Sequence, residues 1–209
     1  MIPAIEALKR LQDGNSRFVS GVRSIDTLMS QMRRDDLLTG QTPFAIILGC
    51  SDSRAPAELI FDQGLGDLFV IRVAGNVVAP SQVGSVEFAA DRFGTRLVVV
   101  MGHSMCGAIL ATLEQLQEPS KNQSHNQLSI VDRVRPSVEP LLATELKNDH
   151  NELVKQAIRA NIRASANHLR HGSQLLEQLI AKGELLVVGA EYSLETGVVT
   201  FFDGMPDTE

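Results

Sequence analysis

The 209-residue sequence predicts a single α/β domain, 1–209, with a mostly parallel central sheet of about four strands, an antiparallel edge strand and flanking helices. Apolar runs rich in β-branched residues, which are typical of buried parallel strands, recur at 44–50, 68–73, 96–102 and 184–189. Segments with helical periodicity lie between several of these runs, and strand–helix–strand units form parallel sheets.

The first predicted element is an amphipathic helix that forms an N-terminal arm over about residues 1–20. Ile5, Leu8 and Leu11 recur at helical spacing, and Phe18 continues the same apolar side. This apolar stripe needs a surface to cover.

Helices are also predicted between the strands. Val83 and Val86 have helical spacing within 81–93, and a second helix is expected over 108–116. The polar segment 118–127 contains a proline and has no periodicity, so it is predicted to be a surface loop.

The C-terminal half is predicted to be largely helical before the sheet resumes. Helical periodicity runs from Leu128 to about residue 180 and is expected to break at Pro136, Pro140 and Gly172. After the strand at 184–189 and a turn, residues 198–202 can return as the antiparallel edge strand.

Composition excludes several classes of function. A net charge of −6, one tyrosine and no tryptophan give neither the charge nor the stacking groups of a nucleic-acid binder. No apolar run approaches the roughly 20 residues of a membrane span. The first ten residues do not resemble a secretory signal, and two cysteines are too few for a disulfide framework, so a cytoplasmic location is expected.

Three candidate metal ligands follow two of the predicted strands. Cys50 ends the run at 44–50, His103 follows the run at 96–102, and Cys106 comes three residues later. Parallel strands share one carboxyl edge, where α/β sheets bind ligands, so these side chains are expected to meet. Two cysteines and a histidine suit one Zn²⁺ per chain and leave the fourth tetrahedral position open for water or substrate.

The neighbouring Asp52 and Arg54 determine whether that fourth position stays open. Asp52 bound to Arg54 leaves the metal accessible, whereas Asp52 bound to zinc closes the site. Asp52 is therefore a predicted metal ligand only in the closed state.

Each of these features has an ordinary structural explanation when taken alone. A single cysteine after a strand is most often inert core, and one His-x-x-Cys pair is weak evidence for a metal. The two motifs together make coincidence a poor explanation. Gly64-x-Gly66 lacks the third glycine of a dinucleotide fingerprint and is predicted to be a turn. No proton shuttle can be chosen among four histidines that are expected at the surface: His125, His150, His168 and His171.

The two motifs resemble those of the β-class carbonic anhydrases, in which Cys-x-Asp-x-Arg is followed some fifty residues later by His-x-x-Cys. The resemblance covers most of the chain. Its supporting segments are 14–18, 61–69, 71–76, 84–88 and 192–197.

This resemblance implies a β-carbonic anhydrase-like fold and site. Cys50, His103 and Cys106 would bind zinc, and Asp52 with Arg54 would form the catalytic dyad. In similar proteins a glutamine at the position of Gln41 binds the substrate. The pocket would be lined at three further positions, which are Phe69, Ala74 and Phe88. Phe88 replaces the tyrosine of many plant-type members, so that hydroxyl contact is absent.

The implied activity is the zinc-dependent reversible hydration of CO₂ to bicarbonate and a proton. Family members are built on a homodimer, with the N-terminal helix embracing the neighbour, and dimers often pair into tetramers. The stripe at Ile5, Leu8 and Leu11 is consistent with that arrangement. Two alternatives remain open: a CS₂ or COS hydrolase on the same zinc scaffold, and a non-catalytic protein that uses zinc for assembly or bicarbonate sensing.

Some family members are inhibited by bicarbonate in a second pocket formed by a tryptophan, an arginine and a tyrosine. Arg72 and Tyr192 occupy the matching places, but Ile47 stands at the tryptophan position, so this pocket is not expected. Arg72 can instead order the chain around the site or pair with a carboxylate across an interface.

Overall fold

The computed structural model describes residues 2–24, 37–119 and 124–206. Within these ranges the sheet has five strands in the order β2-β1-β3-β4-β5, parallel except for β5, which runs antiparallel to β4. The strands are β1 Ala45–Gly49, β2 Leu68–Arg72, β3 Leu97–His103, β4 Leu186–Tyr192 and β5 Val199–Asp203. This architecture confirms the predicted fold class.

The sheet separates two apolar cores because consecutive strand residues point to opposite faces. In β3, Val98 and Val100 pack into one core, whereas Val99 and Met101 pack into the other. β1 and β3 are buried along their whole length, which explains their unbroken apolar sequences.

Helices cover both faces of this sheet. Their bounds are α1 Ala4–Val19, α2 Ala57–Ile60, α3 Pro80–Arg92, α4 Gly107–Gln117, α5 His125–Val138, α6 His150–His171 and α7 Gln174–Ala181. Short 3₁₀ turns lie at Ala74–Asn76, Glu139–Ala143 and Glu145–Asn148. Glycine lets α6 approach closely, since a Cβ on Gly102 of β3 would lie 2.7 Å from the Ile162 side chain.

Several element bounds differ from the sequence expectation. The predicted loop at 118–127 ends early because Ser124 caps α5 reciprocally with Gln127. Pro136 does not break α5, since it lies in the last helical turn, where its missing N–H removes a single hydrogen bond. β4 reaches Tyr192 because its end pairs with β5.

The N-terminal helix α1 packs on the core with one part of its apolar stripe. Leu8 and Leu11 are buried in the core that contains Phe44 and Phe61, whereas Ile5 is 56% exposed. The chain itself therefore covers the two leucines of the stripe and leaves Ile5 exposed. None of the described helices has both the length and the apolar character of a membrane span.

Candidate metal centre

The sheet brings the three predicted ligands together. β1 and β3 are parallel neighbours with Gly49 opposite Met101, so Cys50 and His103 leave the same edge, as predicted. Cys106 precedes the first residue of α4. The three side chains are buried, and their ligand atoms all lie within 4.8 Å of one another.

The geometry of these donor atoms suits a metal ion. The Sγ atoms of Cys50 and Cys106 are 3.9 Å apart, and two sulfurs bound to a tetrahedral zinc at about 2.3 Å lie about 3.8 Å apart. Nδ1 of His103 lies 2.9 Å from the Ser104 carbonyl oxygen, to which it can donate. Nε2 is then the free acceptor, and it is buried without a hydrogen-bond partner among the described residues.

The pKa values of the two thiols are shifted in opposite directions. A hydrogen bond from Cys106 stabilises the Cys50 thiolate and lowers the pKa of Cys50 from 9.0 to about 4, against the opposing effect of burial. The same bond and burial raise the pKa of Cys106, because its ionisation would place a second negative charge beside Cys50. Burial opposes protonation of His103, but its interactions with Cys50 and with the Ser104 carbonyl oxygen, and to a smaller extent the charge of Asp52, raise the pKa of the imidazole overall.

Asp52 is bound to Arg54 in the structure. Its Oδ1 accepts from Nε of Arg54 at 2.9 Å and Oδ2 accepts from Nη2 at 2.7 Å, and the Arg54 amide also donates to Oδ1. These bonds hold the pKa of the Asp52 carboxyl well below its usual range. Oδ2 lies 3.8 Å from Nε2 of His103, which places the carboxylate beside the cluster.

Arg72 orders the loop that carries Cys50 and Asp52. Its Nε donates to the carbonyl oxygen of Cys50 at 2.9 Å, and its Nη2 donates to that of Asp52. Of the two roles open to Arg72 from the sequence, the structure therefore supports ordering of the chain.

The predicted substrate-binding residues fall into two groups. Ala74 precedes Gly75, whose amide contacts Cys50 Sγ at 3.4 Å. Phe69 and Phe88 instead form an aromatic cluster with Phe93, at centroid distances of 5.5 to 6.3 Å. Phe93 also lines a surface cavity of about 630 Å³ together with Gln41. Phe69 and Phe93 also pack against the core that contains Cys50 and Cys106.

The other residues singled out in the sequence have clear positions in the fold. The four histidines are exposed, as predicted. Ile47 is fully buried in β1, and Tyr192 is 6% exposed, so burial raises its pKa. Gly66 adopts φ +82° in the turn expected at that point. Sequence reasoning missed Phe93, Ser104 and Gly75, which act through contacts that no motif records.

Comparison with known proteins agrees with the two metal-binding motifs and with their geometry. A family model described as carbonic anhydrase matches residues 45–199, which include all three candidate ligands as well as Asp52 and Arg54. The chain belongs to the β-carbonic anhydrase family. Carbonic anhydrases are lyases, and the sequence resemblance is thereby confirmed.

Relatives match this β-carbonic anhydrase over most of their length. Carbonic anhydrase 2 from Mycobacterium tuberculosis is 38% identical over 193 residues, covering 92% of this chain and 90% of the relative. The carbonic anhydrase of Mycolicibacterium smegmatis is 38% identical over 195 residues, covering 93% and 91%.

Solved structures of other β-carbonic anhydrases share the fold. CafA of Aspergillus fumigatus aligns with a TM-score of 0.72 and 27% identity over 86% of each chain. One of two β-carbonic anhydrases from Sordaria macrospora, described as tetrameric, aligns with a TM-score of 0.73 and 25% identity, covering 84% of this chain and 89% of the other.

Proposed function

We propose that the protein catalyses the reversible hydration of CO₂ to bicarbonate and a proton, with one zinc ion per chain held by Cys50, His103 and Cys106. The observation that carries this proposal is the buried Cys₂His cluster beside an ionised Asp52. A purely structural zinc site needs no Asp52–Arg54 pair at its edge, and this weighs against a non-catalytic role.

The bound ion supplies the acid chemistry of the reaction, since zinc lowers the pKa of a water molecule enough to make a nucleophile. Two thiolates already neutralise a divalent charge, so water at this zinc should be a weaker acid than water at a zinc held by neutral ligands. We therefore expect activity to increase with pH. His103 keeps Nε2 available as a ligand because Nδ1 faces the Ser104 carbonyl.

Asp52 acts on the attacking water in this proposal. As a carboxylate it can only accept hydrogen bonds, so it orients the water's hydrogen toward Oδ2 and its lone pair toward CO₂. Arg54 keeps the carboxylate ionised and turned away from metal binding. The proton released by the reaction leaves through solvent or buffer, because the described histidines other than His103 are exposed surface residues.

The substrate pocket and the assembly belong to the same proposal. Gln41, Phe69, Ala74 and Phe88 remain predicted substrate-binding residues. A homodimer, or a dimer of dimers, is supported by the similarity to the Sordaria macrospora protein that is described as tetrameric. The single domain over 1–209 stays a prediction, and the two free thiols suit a reducing cytoplasm.

Stopped-flow CO₂ hydration by the zinc-loaded protein tests the proposal directly. We expect activity that increases above pH 8, and Cys106→Ser should lose both zinc and activity. Ser51→Ala, an exposed change in the loop that carries Cys50 and Asp52, is the control and should retain both. Absence of CO₂ hydration with zinc bound would overturn the proposal, and turnover of CS₂ or COS in its place would identify the alternative substrate.

A further inference from the structure

Gly75 makes a direct contact with one of the proposed ligands. Its backbone N–H donates to Sγ of Cys50 at 3.4 Å in a buried environment. Gly75 has φ +67°, and a Cβ at this position would lie 3.1 Å from Cβ of Ala108. The turn at Ala74–Asn76 therefore depends on glycine to direct an amide at the sulfur.

The other backbone group of Gly75 is held by a distant helix. Nδ2 of Asn161, in α6, donates to the Gly75 carbonyl oxygen at 2.7 Å. Asn161 is 2% exposed and lies on the face of α6 that packs on the core. The other buried residues of this face are apolar apart from Ser165: Leu153, Val154, Ala157, Ile158, Ile162, Ala166 and Leu169.

A buried amide is costly unless it is hydrogen-bonded, and an apolar residue would pack on this helix without that cost. The bond from Asn161 to Gly75 satisfies the amide and fixes the turn. Both backbone groups of Gly75 are thus engaged, one by α6 and one by the Cys50 sulfur.

We propose that Asn161 is a positioning residue of the metal centre, which holds Gly75 so that its amide donates to the Cys50 thiolate. The inference rests on the zinc site of the proposed function. A hydrogen bond to a ligating sulfur withdraws electron density from it and fixes its direction, so Asn161 tunes the metal without touching it.

Two substitutions at this position separate hydrogen bonding from packing. Asn161→Leu keeps the approximate volume and removes the donor, and Asn161→Asp keeps the shape but offers an acceptor to a carbonyl oxygen. We expect both variants to bind Zn²⁺ and Co²⁺ about 10- to 100-fold more weakly, as is typical when an outer partner of a ligand is lost. The sulfur-to-cobalt charge-transfer bands should move to lower energy, because the Cys50 sulfur becomes richer in electrons.

Thr95→Val is the matched control. Thr95 is 1% exposed, and its Oγ1 donates to the Pro43 carbonyl oxygen at 2.8 Å, before the first residue of β1 and so at the opposite edge of the sheet. The Thr95→Val substitution removes the same kind of side-chain-to-carbonyl hydrogen bond, and the metal affinity and the cobalt spectrum should stay unchanged. Wild-type affinity and spectrum in Asn161→Asp would show that only side-chain shape matters and would overturn the inference.

The wild-type protein offers a test that does not depend on a variant folding. In protein loaded with ¹¹³Cd, the Gly75 amide proton should show scalar coupling to the metal through the sulfur, and loss of that coupling in the Asn161 variants is expected. No Gly75 coupling in the wild type would contradict the inference. These readouts need only metal binding, so a protein that shows them without hydrating CO₂ would overturn the proposed function alone.

Discussion

At the scale of single residues, the metal-free centre holds one proton between two sulfurs. Cys50 is a thiolate near neutral pH because its pKa is lowered to about 4, and Cys106 is a thiol because that charge raises its pKa. Both sulfurs must be thiolates to bind zinc, so binding displaces this proton.

Zinc affinity should therefore increase with pH. Release of one proton from Cys106 makes the binding constant increase about tenfold per pH unit while that thiol remains protonated in the metal-free protein, and more steeply at the acid end, where His103 with its raised pKa must also lose a proton. Calorimetry in buffers of different ionisation enthalpy, from pH 6 to pH 8.5, measures the protons released. A binding constant that does not change across this range would contradict the shared proton.

Arg54→Gln should raise the pKa of Asp52 toward the usual value of about 3.9, because the paired guanidinium is lost. In the wild type the lowered pKa adds stability above about pH 4, and this stability is lost as the pH falls through the lowered value. The ¹³C shift of the Asp52 carboxyl in the metal-free protein reports the titration. Arg135→Gln removes a surface arginine 3.5 Å from Asp132 and should leave Asp52 unchanged.

At the scale of elements, one buried side chain connects α1 to the end of the sheet. Nδ2 of Asn15 donates to the carbonyl oxygens of Ile60 and Gly197, and its Oδ1 accepts from the Val199 amide at 2.8 Å. Asn15 is 5% exposed, so these bonds are largely shielded from water. They join the first helix to α2 and to β5.

Asn15→Ala should lower the free energy of unfolding by about 3 kcal/mol, because it leaves buried backbone groups without partners. Urea denaturation of the metal-free protein measures the change. Asn167→Ala on the exposed side of α6 is the control, where only a bond from Arg170 is lost, and a change below about 0.5 kcal/mol is expected. Equal effects of the two substitutions would contradict the role of Asn15.

At the scale of the whole molecule, the proposed ligands join separate parts of the fold. Cys50 follows β1, His103 ends β3 and Cys106 precedes α4. A metal bound to all three stabilises only the folded chain, because the unfolded chain does not hold them together.

Zinc at about 100 times its dissociation constant should add about 2.7 kcal/mol of stability. For a chain of this size that corresponds to an increase in Tm of about 5 to 10 °C, and a chelator should reverse it. Thermal unfolding followed by circular dichroism measures the shift. Cys106→Ser should show no such response, and a zinc-dependent Tm in that variant would contradict the ligand set.

The convergence of Cys50 and His103 could be predicted because it follows from local patterns. Each residue ends an apolar run, and parallel neighbours share an edge. The bond between Asn161 and Gly75 could not be predicted, since it joins residues 86 positions apart and depends on how α6 lies on the sheet. The exposure of Ile5 could not be predicted either. Helical periodicity identifies the apolar stripe of α1, but it does not show which residues of the stripe are buried by the core.

The hydrogen bonds of Asn15 also set the order in which the domain can be completed during synthesis. Helix α1 is made well before its partners Gly197 and Val199, which lie 182 and 184 positions further along the chain than Asn15. The contact therefore cannot form until those residues have been synthesised. A product truncated before Gly197 leaves Asn15 without two of its partner residues, so it is expected to be less stable and more open to proteolysis than a chain that includes them.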